Sequence, residues 1–481
     1  MKSLPTAPTD TFVTKQDSTT GQDALGKPRV YLETYGCQMN VSDSELMEGI
    51  LRDAGYGTAD DPAHADVILV NTCAVRERAE ERVFGRIGEL TQYKHANPGV
   101  IIGVTGCMAE HLREGIPARA KAVDIVVGPD AYRNLPALID GHIDRASLSR
   151  RASQSHRASQ SRRSSQSRRA SLDVRLDRAE NYIGLDPVRR ASSTGWVTIM
   201  RGCDRFCTFC IVPYTRGREK CVPPDEILRQ VRGLAEIGYR EVTLLGQTVN
   251  SYRYDGTDFA DLLRRVAAVD GIDRIRFTSP HPAEFTEKVI AAMAETPEVC
   301  PYVHLPVQSG DDEMLRRMRR DYTVDEYRMI VENLRSAIPD VALSTDIIVG
   351  FCGETEEQFE RTYRLMKEMR YDFAFMFMYS AREGTVAARS LPDDVSEEDK
   401  GRRLRAIIDQ QEAISEDVFK AQVGTVVDVL IEGPAKKTDE HSYGRAADFK
   451  AVVVRGEFAR NTIVRTRIHR STAHTLFGDP I

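Results

Sequence analysis

The chain has 481 residues, enough for two or three domains, with 41% hydrophobic and 29% charged residues, the balance of a soluble globular protein. Its formal charge of −6 argues against nucleic-acid binding by net charge, so an RNA partner needs local basic patches. No apolar run approaches the roughly 20 residues that span a bilayer, and the polar start MKSLPTAPTDTFVTKQDSTTGQDALGK lacks the apolar stretch of a secretory signal. Residues 1–27 read as a disordered tail on a cytoplasmic protein with no membrane partner.

In residues 28–144, three apolar runs each end on a cysteine: VYLETYGC at Cys37, DVILVNTC at Cys73 and VIIGVTGC at Cys107. Helical patterns such as SDSELMEGILRDAG and ERAEERVFGRIGEL separate them. Strands alternating with helices predict an α/β unit with a parallel sheet. Its three cysteines then share the carboxyl edge, where open α/β sheets bind ligands.

Residues 145–188 read as a linker that opens on a hexapeptide repeat: RASLSR, RASQSH, RASQSR, RSSQSR and RASLDV, from Arg145 onward. Residues 145–170 hold eight arginines and no acid, which leaves −14 on the rest of the chain. With almost no apolar residue the repeat is expected to be disordered. It serves either as a basic arm touching RNA or as a neutral expansion between domains, and the site chemistry does not require it.

Residues 189–420 carry six strand-like runs, WVTIM, EVTLLG, RIRFTS, YVHLPV, ALSTDIIVG and FAFMFMYS, separated by helical patterns. Repeated βα units predict a full or partial parallel barrel, whose active face lies at the strand ends. Five such ends carry polar residues: Gln247 and Asn250, Ser279 and His281, His304 and Gln308, Ser344 and Asp346, Tyr379 and Ser380. For each, a strand cap or a satisfied core group is the alternative. Residues 421–481 change texture to short alternating strands (GTVVDVLIEG, KAVVV, TIVRTRIHR), which suits a small antiparallel barrel. Nine Lys or Arg against seven acids there make it a candidate RNA-binding module.

Nine cysteines in a reducing compartment are metal or redox sites where they cluster and inert where they stand alone. Cys203, Cys207 and Cys210 have the spacing C-x3-C-x2-C in MRGCDRFCTFC. Three thiolates leave one iron of a four-iron cluster open. The adjacent amine and carboxylate of S-adenosylmethionine suit chelation there, and a reduced cluster can cleave the sulfonium to a radical. The alternative is a zinc site with Cys221 closing a ten-residue loop. Cys37, Cys73 and Cys107 say nothing by spacing, but their shared place after a strand would let them hold a second cluster; otherwise they are unrelated. Cys300 and Cys352 read as structural.

The runs ETYGCQMN, NTCAVRERA, GCMAE, MRGCDRFCTFCIVPYTRGRE, LLGQTVNSY, HLPVQSG, DIIVGF and VDVLIEG carry a resemblance to the radical S-adenosylmethionine methylthiotransferase family, over about residues 28–144 and 172–481. The resemblance implies an N-terminal domain whose Cys37, Cys73 and Cys107 ligate an auxiliary [4Fe-4S] cluster. It implies a partial (βα)6 core whose Cys203, Cys207 and Cys210 ligate the radical [4Fe-4S] cluster, and a C-terminal antiparallel β-barrel of the TRAM type. Phe206, Gln247, Ser344 and Asp346 are the expected S-adenosylmethionine-binding residues. One cofactor molecule is expected to donate a methyl group to sulfur on the auxiliary cluster. A second yields the radical that abstracts hydrogen from carbon 2 of an isopentenylated adenine beside the tRNA anticodon. Expected partners are tRNA, a reductant such as flavodoxin or ferredoxin, and iron–sulfur assembly or sulfur-donor proteins. Arg201, Arg216 and Arg218 flank the radical triad, where they either pair with tRNA phosphates or are ordinary surface or salt-bridged arginines.

Other members of the family act on threonylcarbamoyl-adenosine in tRNA or on a ribosomal-protein aspartate, but AVRERA and MRG fit the isopentenyladenosine substrate better. A non-enzymatic iron–sulfur RNA sensor would explain clusters and terminal barrel, but not an open iron faced by polar strand ends. Two features depart from the family pattern: the repeat, and Cys352 in GFCGET, where proline is usual and where a thiol is open to oxidation.

Overall fold

The computed structural model describes residues 27–74, 77–144, 170–189, 192–436 and 438–481. The expected tail lies outside the described residues except for Lys27, which sits 5.0 Å from the Tyr56 ring centre and 3.4 Å from Asp140. The repeat from Arg145 to Arg169 also lies outside them. The chain divides into two units, Met1–Ala191 with Ile211–Lys220, and Ser192–Cys210 with Cys221–Ile481.

The first unit is built on six strands: β1 (Arg29–Tyr35), β2 (Gly57–Thr58), β3 (Val67–Thr72), β4 (Ile101–Gly106), β5 (Ile125–Val127) and β6 (Ser171–Asp173). They run parallel in the order β2-β1-β3-β4-β5-β6. Every residue of β3 and β4 is buried, the signature of a sheet covered on both faces. Alternate side chains serve opposite layers. Val67 and Leu69 pack with Leu46, Met47 and Ile50 of α1 (Gln38–Asp53). Ile68 and Val70 pack with Val83, Ile87 and Leu90 of α2 (Glu77–Ala96).

β6 corrects the linker expected at 145–188. Its residues come from RASLDV, the last copy of the repeat, and they fill the open edge of β5. The chain then folds back over α1. Tyr182 stacks on Tyr132 with ring centres 5.7 Å apart and donates to the Pro129 carbonyl at 2.7 Å. Val188 N donates to the Glu45 carbonyl at 2.9 Å, and Arg189 pairs with the Glu45 carboxylate at 3.0 Å. A Cβ on Gly49 would lie 2.2 Å from the Asp186 carbonyl oxygen, so only glycine lets this strap cross the helix.

The second unit contains all six strands expected from the barrel runs: β7 (Thr194–Thr198), β8 (Glu241–Leu245), β9 (Arg274–Phe277), β10 (Tyr302–His304), β11 (Ala342–Val349) and β12 (Phe373–Met378). They form parallel sheets β9-β8-β7 and β10-β11-β12, joined by a parallel bridge between Ile275 and Val299. Three of the helices between the strands start on threonine caps. Thr286, Thr323 and Thr355 each accept the backbone N–H three residues on, a contact worth about 1 kcal/mol.

A closed barrel of β13 (Val426–Ala435), β14 (Thr438–Ala446), β15 (Ala451–Arg455), β16 (Ile463–Ser471) and β17 (Leu476–Pro480) ends the chain, in the order β13-β14-β15-β17-β16. The sequence reading lacked β14 and β17. β14 reads TDEHSYGRA, with hardly an apolar residue to mark alternation. The barrel sits on the amino ends of the core strands. Arg274 donates to the Arg445 and Asp428 carbonyls at 2.9 and 2.6 Å, and Arg276 to the Ala447 and Ala446 carbonyls at 2.8 and 2.9 Å. Phe449 stacks on Tyr302 at 4.6 Å, and Lys450 pairs with Asp372 at 2.6 Å.

Candidate functional site: two cysteine triads

In the first unit, the register sets Tyr35 beside Thr72 and Thr72 beside Gly106. Cys37, Cys73 and Cys107 therefore leave the sheet at one carboxyl edge, as their shared place after a strand predicted. Cys37 is the N-cap of α1, and Cys107 opens α3 (Cys107–Leu112). The two glycine–cysteine pairs have a steric cause. Gly106 has φ +91°, and a Cβ there would meet Asn71 Oδ1 and the Thr72 carbonyl at 2.5 Å. Gly36 has φ +150°, and a Cβ there would meet Cys73 Cβ at 2.8 Å.

Buried amides brace this edge. Asn40 accepts from Cys37 N at 3.3 Å and donates to the Thr72 carbonyl at 3.2 Å. Asn71 donates to Ser44 Oγ at 2.9 Å. Cys107 packs with Ala74 and Ile211, and Arg216 Nε donates to its Sγ at 3.1 Å. Arg216 Nη2 donates to Asp43 Oδ2 at 2.8 Å. A hydrogen bond from Cys73, helped by Arg216 and backbone N–H groups of Asn40 and Met39, outweighs burial and holds the Cys37 thiol down at about 6. Burial pushes the Cys107 thiol up, against the pull of Arg216.

In the second unit, the loop after β7 holds the other triad. Cys203 Sγ lies 3.2 Å from Thr248 Oγ1, and Arg320 Nη1 donates to Cys207 Sγ at 3.4 Å. Thr208 N donates to the Met318 carbonyl at 3.0 Å, and Thr208 Oγ1 to the Arg317 carbonyl at 2.8 Å. Phe206 has φ +49° and is half-buried within the loop. Gln247 Oε1 and His281 Nε2 are buried with no hydrogen-bond partner among the described residues. Burial, then Arg320 and Arg205, lower the His281 ring to about 2, so it is neutral.

Both sites fit thiolate-ligated clusters. Among the described residues, no three His, Cys, Asp or Glu converge on a point as one metal ion requires. A four-iron cluster takes each thiolate at a separate corner rather than all at one point. Arg216 Nη1, like Gln247 Oε1, is a buried polar atom with no partner among the described residues, a state that costs about 1–3 kcal/mol unless a bound group relieves it.

Several expectations need correction. Arg201 and Arg216 are each 4% exposed, too buried for tRNA phosphates, and Arg216 takes the alternative of a salt-bridged arginine, paired with Asp43; Arg218 is exposed. Ser344 and Asp346 lie within β11, short of its end. Ser344 Oγ is engaged by Tyr302 Oη at 2.7 Å and His304 Nδ1 at 2.8 Å, and His304 Nε2 lies 3.5 Å from Asp346. Asn250 clamps the backbone of His281, accepting from its N at 2.7 Å and donating to its carbonyl at 2.9 Å, a structural role. Cys352 is 3% exposed and burial raises its thiol pKa, so it is shielded from oxidants. The sequence reading missed Asp43, Asn40, Asn71, Thr248 and Arg320. Asn40, Asn71 and Thr248 lie in ETYGCQMN, NTCAVRERA and LLGQTVNSY, and Asp43 three residues past the first of these, which was the available signal; Arg320, ten residues past HLPVQSG, had none.

Residues 197–366 match the radical SAM superfamily, and residues 29–128 match the family described as uncharacterized protein family UPF0004. The fold is shared at 13% identity and TM-score 0.52 with the radical S-adenosylmethionine methyltransferase TsrM from Kitasatospora setae, solved with cobalamin and a [4Fe-4S] cluster, over 75% of this chain and 74% of that one. The cobalamin-dependent S-adenosylmethionine radical enzyme OxsB aligns at 12% identity and TM-score 0.52, over 81% of this chain and 56% of that one. Fold and radical loop thus define a radical SAM enzyme with an added cysteine-bearing α/β unit. Curated relatives are more specific. The tRNA-2-methylthio-N(6)-dimethylallyladenosine synthase of Chlorobium luteolum is 45% identical over 94% of this chain and 96% of its own length. That of Porphyromonas gingivalis is 44% identical over 94% of this chain and 95% of its own. The chain belongs to the family of tRNA-2-methylthio-N(6)-dimethylallyladenosine synthases.

Proposed function

We propose that this chain methylthiolates carbon 2 of N6-isopentenyladenosine next to the tRNA anticodon, using two S-adenosylmethionine molecules and two [4Fe-4S] clusters. The observation that carries the reading is the pair of cysteine triads, one at the edge of three adjacent parallel strands and one on the loop after β7, in a chain 45% identical to such a synthase. The adenine C2–H is not acidic near neutral pH, so no side chain acting as a base opens it. Bound clusters and S-adenosylmethionine supply the hydrogen-abstracting radical and the sulfur.

The protein's own residues bind and orient. Cys37, Cys73 and Cys107 hold the auxiliary cluster, and Cys203, Cys207 and Cys210 the radical one. Gln247, whose Oε1 has no partner among the described residues, and Phe206 on the loop bind S-adenosylmethionine. Ser344 orients His304 beside Asp346, and Asp346 is the member of that group left to meet the cofactor. The C-terminal barrel is a TRAM-type module that holds tRNA. Electrons come from a carrier such as flavodoxin or ferredoxin, and sulfur from iron–sulfur assembly or donor proteins, in the cytoplasm. No helix among the described residues is long and apolar enough to cross a membrane.

Mass spectrometry of tRNA nucleosides from a strain lacking this gene tests the substrate. The expected result is loss of 2-methylthio-N6-isopentenyladenosine and accumulation of N6-isopentenyladenosine. Unchanged levels would rule the reading out, and loss of methylthiolated threonylcarbamoyl-adenosine would move the activity to that substrate.

A further inference from the structure

Arg216 comes six residues after Cys210 in sequence but belongs to the first unit. Its guanidinium is 4% exposed, with Nε on Cys107 Sγ at 3.1 Å and Nη2 on Asp43 Oδ2 at 2.8 Å. Asp43 is fully buried and also accepts from Tyr132 Oη at 3.4 Å. Arg216 Nη1 is buried with no partner among the described residues.

We infer that Arg216 is a positioning residue of the auxiliary centre, donating to the Cys107 ligand sulfur in a geometry fixed by Asp43 and so setting the electron density of the cluster. The inference rests on ligation by Cys37, Cys73 and Cys107. A buried ion pair is weak evidence for a stabilising role, since well-packed apolar residues usually replace one at no loss. What this pair does in addition is aim a rigid donor at sulfur. A neutral thiol is a poor acceptor, whereas a thiolate makes the bond charge-assisted. The arrangement therefore suits Cys107 as an anionic ligand. Hydrogen bonds to ligand sulfurs make a cluster easier to reduce, and neighbours of the ligands retain the metal.

The test uses the full chain carrying Cys203→Ala, Cys207→Ala and Cys210→Ala, reconstituted anaerobically so that only the auxiliary cluster forms. Into it go Arg216→Met with Asp43→Asn, which removes donor and counter-charge together, and separately Arg216→Lys. Both are expected to keep about four irons per chain, to reduce at a more negative midpoint potential with shifted EPR g-values, and to release iron to a chelator ~10-fold faster. Unchanged potential, spectrum and release rate in a variant with native circular dichroism would overturn the inference. If the paired variant does not fold, Arg216→Lys decides alone on the same readouts. A background protein that binds no iron would instead sink the auxiliary-cluster reading itself.

Discussion

Asn40 and Asn71 hold each other across the edge of the first sheet. Asn71 Nδ2 donates to the Asn40 carbonyl at 2.8 Å, and Asn40 Nδ2 donates to Asn71 Oδ1 at 3.3 Å, with both side chains fully buried. One amide belongs to the turn after Cys37 and the other to the strand before Cys73, so the pair ties two expected ligands to one frame. Asn71→Ala leaves the Asn40 carbonyl and Ser44 without that donor, and is expected to cost about 2–3 kcal/mol. A drop in melting temperature and in auxiliary iron, with S-adenosylmethionine cleavage retained, is the expected outcome. Full iron content and an unshifted melt would show that the pair is dispensable.

Two triads predict two clusters. Anaerobic reconstitution is expected to give about eight irons per chain, and about four when Cys203 is replaced by alanine together with Cys207 and Cys210. Cys203→Ala alone is expected to abolish formation of 5′-deoxyadenosine while leaving the auxiliary cluster in place. Four irons in the unaltered chain would remove the auxiliary cluster, and normal 5′-deoxyadenosine from Cys203→Ala would remove the radical assignment.

Glu110, three residues past Cys107, is 1% exposed. Its Oε1 accepts from Arg113 Nη2 at 2.6 Å. Burial raises its carboxyl from 4.5 to about 7, with Arg113 opposing and Asp130 and Asp173 adding to the rise. A raised folded-state value means that the folded form holds the proton more tightly. The resulting stability is complete below about pH 4.5 and is lost as pH rises through about 7, by at most ~3 kcal/mol. Glu110→Gln removes this loss, so its melting temperature relative to the unaltered chain is expected to rise between pH 5 and 8. Parallel curves for the two proteins across that range would contradict the assignment.

Arg276 joins the core to the terminal barrel. Its Nε meets Glu241 at 2.8 Å with both side chains buried, while its two terminal nitrogens bind the Ala446 and Ala447 carbonyls. Arg276→Ala leaves Glu241 as an uncompensated buried charge and is expected to cost about 3–5 kcal/mol. Limited proteolysis is expected to cut the variant near residue 421 and release the barrel. Phe449→Ala, which removes the stack on Tyr302 without stranding a charge, is expected to loosen the barrel less. Equal resistance of all three proteins would show that the barrel is held by other contacts.

The sequence alone determined the chemistry of this protein and the order of its parts. C-x3-C-x2-C is a local pattern, and a strand ending on cysteine is visible because strand and ligand are neighbours in the chain. The six core strands were legible for the same reason, as runs of apolar residues each followed by a helix. β14 was not, because a polar strand in a small barrel carries little alternation. β6 was hidden because it begins where the repeat's composition ends, and only the open edge of β5 turns SLD into a strand.

Tertiary structure alone decided which side chains meet the cysteines. Arg216 stands beside the radical triad in sequence and reads there either as a phosphate-binding arginine or as an ordinary surface or salt-bridged one. In the fold it meets Cys107 and Asp43, which lie 109 and 173 residues away. No periodicity or spacing records such a contact. Burying a guanidinium is affordable only where a carboxylate and a sulfur acceptor wait together, and packing alone brought those two groups to one place.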